Sequence, residues 1–224
     1  MLEPVILSLK VAVLAVMIVF VLGLLLARLM ARHEFPGQDV LEALLTLPLV
    51  LPPSVVGYGL LVLFGVHGPL GKLAETLFGA RIVFTWWAAV LAATVVSFPL
   101  MYQSAKAAIS GVDLNLERAA RTLGAGEWRI FATVTLPLAW PGIVAGLVLA
   151  FARALGEFGA TLMIAGNIPG QTQTIPLAIY FAVESGDTAT AQTLGGIMAM
   201  FSFTVIFGLN YWTKWRKLRQ EGRG

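Results

Sequence analysis

The sequence predicts an all-α membrane protein with five transmembrane helices, an N-terminus outside and a C-terminus in the cytoplasm. Three observations lead there. Its 224 residues are 58% hydrophobic and only 12% charged. A soluble domain carries about 25% charged residues, so the surplus apolar surface calls for lipid. Several apolar runs approach or exceed the ~20 residues that cross a bilayer as a helix. Lys and Arg cluster at alternate ends of those runs, and the positive-inside rule then orients the chain.

The first run, about 5–30, follows Glu3 instead of a basic leader and is too long for a signal-peptide core, so it reads as a retained span. Lys10 is expected to snorkel outward, while Arg28, Arg32 and His33 mark the other end. Phe35-Pro36-Gly37 makes a turn, and Asp39 and Glu42 lead into a second span, about 44–64. It holds Pro48, Pro52 and Pro53, then Ser54, Val55, Val56, Gly57 and Gly59. Proline removes a backbone donor and kinks helices. In lipid the freed carbonyls must be satisfied by protein or by a cavity. The broken helix therefore lines a pathway or is a packing kink. Residues 65–81 form a loop with a short interfacial helix near Leu70 to Leu77. Trp86 and Trp87 suit an aromatic belt at the head of a third span, about 84–105, which Pro99 interrupts.

Glu117 to Pro137 is the longest polar-rich interruption in the chain. Its residues suit two short helices broken at a turn. Asp113 and Asn115 are N-cap types, and Glu117 falls in or near a first turn, where negative charge suits the helix dipole. Ala119, Ala120 and Leu123 make a small apolar face, and Gly124 and Gly126 permit a sharp turn. Trp128, Ile130 and Phe131 begin a second apolar stripe. Such a segment either docks another protein or lies on the lipid headgroups. The fourth span, about 138–157, opens at Leu138 and ends with Arg153 and Glu157, which are spaced to pair at i,i+4. Ionisable residues in a span are functional candidates, although a structural pair at the interface is the other reading. Gly156 to Thr174 is Gly-rich and neutral. It is a site for an oxyanion on backbone N–H and hydroxyl groups, or a plain loop. Pro176 to Val183 is too short to span. The fifth span, about 194–212, is followed by Lys214, Arg216, Lys217, Arg219 and Arg223.

Several function classes are excluded or disfavoured. There are no cysteines, and the two histidines, His33 and His67, lie far apart, so no metal site is expected. No phosphate-binding Gly-x-x-x-x-Gly-Lys-Ser/Thr loop is present, so the chain is not itself an ATPase. No nucleophile–base pair appears. The basic residues sit at membrane edges, which argues against nucleic acid.

Glu117, Ala119, Ala120, Gly124, Leu136 and Pro137 resemble the "EAA" loop of bacterial ABC importer permeases. A wider set resembles one subfamily, the molybdate ABC transporter permeases. It comprises Phe35-Pro36-Gly37, the Leu47 to Pro53 segment with Val55-Val56-Gly57-Tyr58, Ser97 to Met101, Ala119 to Gly126, Phe151 to Thr161, and Asn167-Ile168-Pro169-Gly170 with Thr174-Ile175-Pro176. Permeases for sulfate and thiosulfate share several of these motifs. The resemblance implies a type I importer fold filling one transmembrane domain, 1–224, in a bacterial or archaeal cytoplasmic membrane. It implies a homodimer with two ABC ATPase subunits that bind ATP and Mg, no cofactor in this chain, and an extracytoplasmic protein that delivers molybdate, with tungstate as an alternative ion. Loop 111–137 would then be the coupling loop. The kinked second span and the start of the Gly-rich segment would form the gate, with Pro52, Pro53, Ser54, Val55, Val56, Arg153, Glu157, Phe158 and Gly159 as pathway residues. An ATP-independent channel or carrier is the competing class. It would require paired ionisable groups across several spans, and only Lys10, Arg153 and Glu157 are available.

Overall fold

A computed structural model describes residues 2–79 and 81–221, and every regular element among them is helical. The helices are α1 (Leu2–Arg32), α2 (Gln38–Val50), α3 (Pro53–Phe64), α4 (Pro69–Phe78), α5 (Trp86–Ser110), α6 (Leu114–Thr122), α7 (Glu127–Ile130), α8 (Leu136–Leu155), α9 (Gly159–Ala165), α10 (Ile175–Glu184) and α11 (Thr188–Glu221). A π-helical turn, Phe131–Thr135, joins α7 to α8. Four helical stretches are long and apolar enough to cross a membrane: α1, α5, Glu127–Leu155 and Thr188–Gly208. The pair α2 and α3 qualifies only when taken together, across a 119° bend.

The centre is built from small residues. On α1, Ala12, Ala15, Val19, Gly23 and Ala27 recur at helical spacing and are buried. They face α5, where Ala88, Ala89, Ala92 and Ala93 are fully buried. Helices in lipid gain contact energy from close backbone approach, which side chains of this size permit. The same device joins α5 to α8. A Cβ on Gly146 would stand 2.5 Å from Ser104 Cβ, and one on Gly142 would stand 2.6 Å from Ala108 Cβ. Pro99 and Pro141 both lie inside continuous helices.

The second span departs most from expectation. It is two helices turned sharply against each other, well beyond a kink. Leu51 and Pro52 each precede a proline, which disfavours the α region and drives both to extended ψ values of 143° and 138°. Pro53 then starts α3, where a missing N–H costs nothing. The third span starts two residues later than expected, at Trp86. Phe84 has φ 60° and donates its amide to the Ile164 carbonyl at 3.0 Å, outside any helix. Lys10 rests its Nζ 3.9 Å from the Trp86 ring centroid, a cation–π contact. The interfacial helix forms over Pro69–Phe78.

The fourth helical stretch begins at Glu127, well before Leu138, so the polar loop re-enters helix early. The π turn accounts for the passage. A proline at 137 clashes with the carbonyl four residues back, and widening the turn makes room. Leu136 accordingly donates to the Phe131 carbonyl, five residues back. The hydroxyl of Thr172 in the Gly-rich segment is spent within its own loop. It accepts from Ile168 N at 2.9 Å and donates to the Gly166 carbonyl at 3.2 Å. That arrangement supports the plain-loop reading for residues 166–174, whereas Gly159–Ala165 within the same stretch is helix α9. Of the basic residues that follow the fifth span, Arg223 lies outside the described residues, and Lys214, Arg216, Lys217 and Arg219 are described in backbone only.

Candidate functional site

Two regions gather the residues singled out above. The first is the polar loop. Asp113 caps α6 by accepting from the Asn115 amide at 2.8 Å. The helix ends where Gly124 takes φ +81°, a conformation that costs other L-residues about 1 kcal/mol or more. Across that turn Arg121 donates to Glu127 at 2.6 and 2.9 Å. This hydrogen bond and the Glu127 charge hold the Arg121 guanidinium above its ordinary pKa. Both partners are exposed, so solvent screens the pair.

The exposed surface of α6 and its C-cap mixes polar residues with apolar side chains. Leu114, Leu116 and Leu123 are 46%, 48% and 88% exposed, and Ala119 is exposed beside them. Ala120 is half-buried. Glu117 stands in the first turn of α6, as expected, and turns inward. It is the buried residue of this helix. Its Oε1 accepts from Arg32 Nη2 at 2.7 Å, from Arg32 Nε at 3.2 Å and from Thr135 Oγ1 at 2.7 Å. Arg32 Nη2 also donates to the Ile109 carbonyl at 2.9 Å. The exposed apolar side chains of this segment are therefore Leu114, Leu116, Ala119 and Leu123, while Glu117 is buried.

Leu136 is half-buried and Pro137 is exposed at the start of α8, one turn from Thr135. Arg28 stacks over Trp128 and Phe131, at 4.6 and 4.2 Å from the ring centroids. Sequence reasoning missed Arg32 and Thr135. Arg32 was read as a membrane-edge charge, and no local signal ties it to a glutamate 85 positions away.

The second region is the break between α2 and α3. Helix α3 crosses α9 at nearly backbone contact: a Cβ on Gly57 would stand 2.7 Å from Ala160 Cα, and one on Gly159 would stand 3.0 Å from Pro53 Cβ. Segments a hundred residues apart in sequence thus meet, joining Pro53 and Ser54 to Gly159. Pro52, Pro53, Ser54 and Val55 are exposed on the near side, and Val56 is buried against the core. Phe158 is half-buried and packs on Tyr180, with centroids 5.1 Å apart.

Glu157 is 2% exposed. Its Oε1 accepts from the Ala160 amide at 2.7 Å, which anchors the first turn of α9. Its Oε2 lies 2.7 Å from Arg153 Nη1, yet makes no well-angled hydrogen bond, so charge holds that contact. The pair braces the end of α8 against α9 immediately beside the crossing.

Comparison with known proteins identifies the architecture. A crystal structure of a bacterial ABC transporter involved in the import of the acidic polysaccharide alginate matches at TM-score 0.75 and 16% identity, covering 95% of this chain and 78% of that one. The molybdenum transport system permease protein ModB of Escherichia coli K12 is 53% identical over 192 residues, covering 85% of this chain and 84% of the relative. The sulfate transport system permease protein CysT of the same organism is 37% identical over 191 residues, covering 85% and 68%. The model of the family described as the binding-protein-dependent transport system inner membrane component matches residues 8–215, nearly the whole helical body described above, and the chain belongs to that family.

Proposed function

We propose that this chain is the transmembrane permease of an ATP-driven importer for molybdate. The observation that carries the reading is 53% identity to a molybdenum permease against 37% to a sulfate permease, at equal coverage of this chain. Tungstate, with the same tetrahedral dianion chemistry, is a second cargo. The reading takes 1–224 as one transmembrane domain, with α2 and α3 forming the second of five spans. The N-terminus is outside and the C-terminus in the cytoplasm of the bacterial membrane. Basic residues at the ends of α1 and α5 and in the polar loop support this orientation.

Two copies form the pathway, because five spans enclose little on their own. A C₂ dimer places the pathway on its axis and presents two polar loops to two ATPase subunits. Loop 111–137 is the coupling loop, and its exposed Leu114, Leu116, Ala119 and Leu123 seat in the ATPase. Glu117 and Gly124 shape that loop from within, and Leu136 and Pro137 carry it into α8. ATP and Mg belong to the ATPase. A separate extracytoplasmic protein delivers the ion. Closure of the ATPase pair moves the coupling loops, and the crossing of α3 on α9 opens and closes as the gate. Pro52, Pro53, Ser54, Val55 and Val56 on one side, and Arg153, Glu157, Phe158 and Gly159 on the other, frame that gate.

The test is uptake of labelled molybdate into proteoliposomes holding this chain and its ATPase, with the binding protein added. ATP-dependent uptake that tungstate blocks and sulfate does not is the expected result. Uptake blocked by sulfate moves the substrate, and uptake indifferent to ATP overturns the importer reading.

A further inference from the structure

We infer that Arg32 and Thr135 are positioning residues for coupling: through the buried Glu117 carboxylate they form a strut that carries movement of α6 into α1, α5 and α8. The inference rests on the importer reading above. Helix α6 has nine residues, and its buried residue is a charged one, Glu117. Its leucines face outward. The buried polar contact of this helix with the body is therefore this one carboxylate, where an amphipathic helix ordinarily buries an apolar stripe.

That attachment is directional. Two guanidinium nitrogens of Arg32 and the Thr135 hydroxyl all converge on Glu117 Oε1, at 3.2, 2.7 and 2.7 Å. Apolar contacts let helices slide, whereas hydrogen bonds to a charged group fix angle as well as distance. Three load paths leave the carboxylate. Arg32 stands in the last turn of α1. The same Nη2 reaches the Ile109 and Val112 carbonyls at 2.9 and 3.5 Å, where α5 ends. Thr135 closes the π turn that leads into α8. A π turn is a common functional irregularity in a helix, and here it puts a hydroxyl on the coupling node. A push on the leucine face of α6 thus reaches three central helices through one atom.

The test uses the full transporter in proteoliposomes, with Arg32→Lys, Glu117→Gln, Thr135→Val and the Arg32→Lys/Glu117→Gln double variant. Each substitution nearly preserves volume. The readouts are co-purification with the ATPase and the number of ions imported per ATP hydrolysed. The expected result is an assembled, ATP-hydrolysing complex whose ions-per-ATP ratio falls about tenfold in Arg32→Lys and Glu117→Gln, a typical coupling magnitude. The double variant should fall no further than the worse single, because the two residues act through each other. A ratio within about twofold of wild type in both singles would overturn the strut, as would multiplying losses in the double. Failure of all three singles to co-purify would overturn it as well, leaving only a folding role. A wild-type transporter with no ATP-dependent uptake would instead sink the importer reading.

Discussion

Replacing Gly57 by alanine adds one methyl group at a close backbone crossing, where α3 meets α9. The new Cβ would lie 2.7 Å from Ala160 Cα, 2.8 Å from Met163 Cβ and 3.0 Å from the Ala160 carbonyl oxygen. Carbon atoms settle at about 3.5–4.0 Å, so α3 must lift by something near 1 Å. Two of the three obstacles are backbone and cannot swing aside. Overpacking of this kind costs about 1–3 kcal/mol. Alanine regains up to about 1 kcal/mol over glycine in a helix interior, so the net cost is ~1–2 kcal/mol. Gly59, two residues along, supplies the control, since nothing lies within 4 Å of its added Cβ. Gly59→Ala should therefore be neutral or stabilising by up to about 1 kcal/mol. The assay is thermal unfolding of the purified chain in detergent. Gly57→Ala should lower Tm by several degrees, at roughly 2–4 °C per kcal/mol for a chain this long, and Gly59→Ala should not lower it. Equal responses from the two variants would refute the close crossing of α3 on α9 and remove the gate's geometric basis.

Gly124→Ala should destabilise the polar loop by about 1 kcal/mol and Gly124→Pro by more, because φ is +81° there. Both should insert into membranes, and normal uptake by Gly124→Pro would sink the coupling role of the turn. Glu157→Gln retains an acceptor for the Ala160 amide but strips Arg153 of its charge partner. Glu157→Ala also leaves a buried N–H unpaired, at about 1–3 kcal/mol. Uptake should fall in both by more than assembly does, as size-exclusion chromatography beside the uptake assay would show, and lost assembly in Glu157→Ala would instead favour the structural pair. Asp187 accepts from the Thr190 amide at 3.0 Å, and that side-chain and backbone hydrogen bonding lowers its carboxyl pKa. A lowered folded-state pKa means the bond stabilises α11 above the ordinary carboxylate value and is lost as pH falls through the lowered one. Thr190 amide protection, followed by hydrogen exchange, should decline below about pH 4 and should become flat with pH in Asp187→Asn.

Much of this architecture is local and was legible in the residues. Apolar run length marked α1, α5 and the stretch 188–208, and helix α4 formed within a residue of its expected bounds. The Pro52-Pro53 pair announced a break, and Asp113 and Gly124 announced the ends of a short helix. Each of these signals acts within about four residues along the backbone. The 119° fold-back at the break is not of that kind. Prolines forbid a straight helix, but packing of α3 on α9 selects the angle. The second short helix expected after Gly126 forms, but its continuity with the span from Leu138 was not legible, because Pro137 suggests interruption while a single widened turn lets the helix run through.

The chemistry of the site divides in the same way. Alanines, leucines and a glycine at helical spacing were enough to mark α6 as a surface helix. That its glutamate turns inward is a tertiary fact, since Arg32, Thr135 and Glu117 lie on three separate helical segments. Hydropathy, capping and turn propensity are properties of neighbours in the chain, so the sequence by itself determined the all-helical class and the rough extent of the long apolar helices. The partner of a buried charge is whichever group packing brings within about 3 Å, and only the assembled helices decided that.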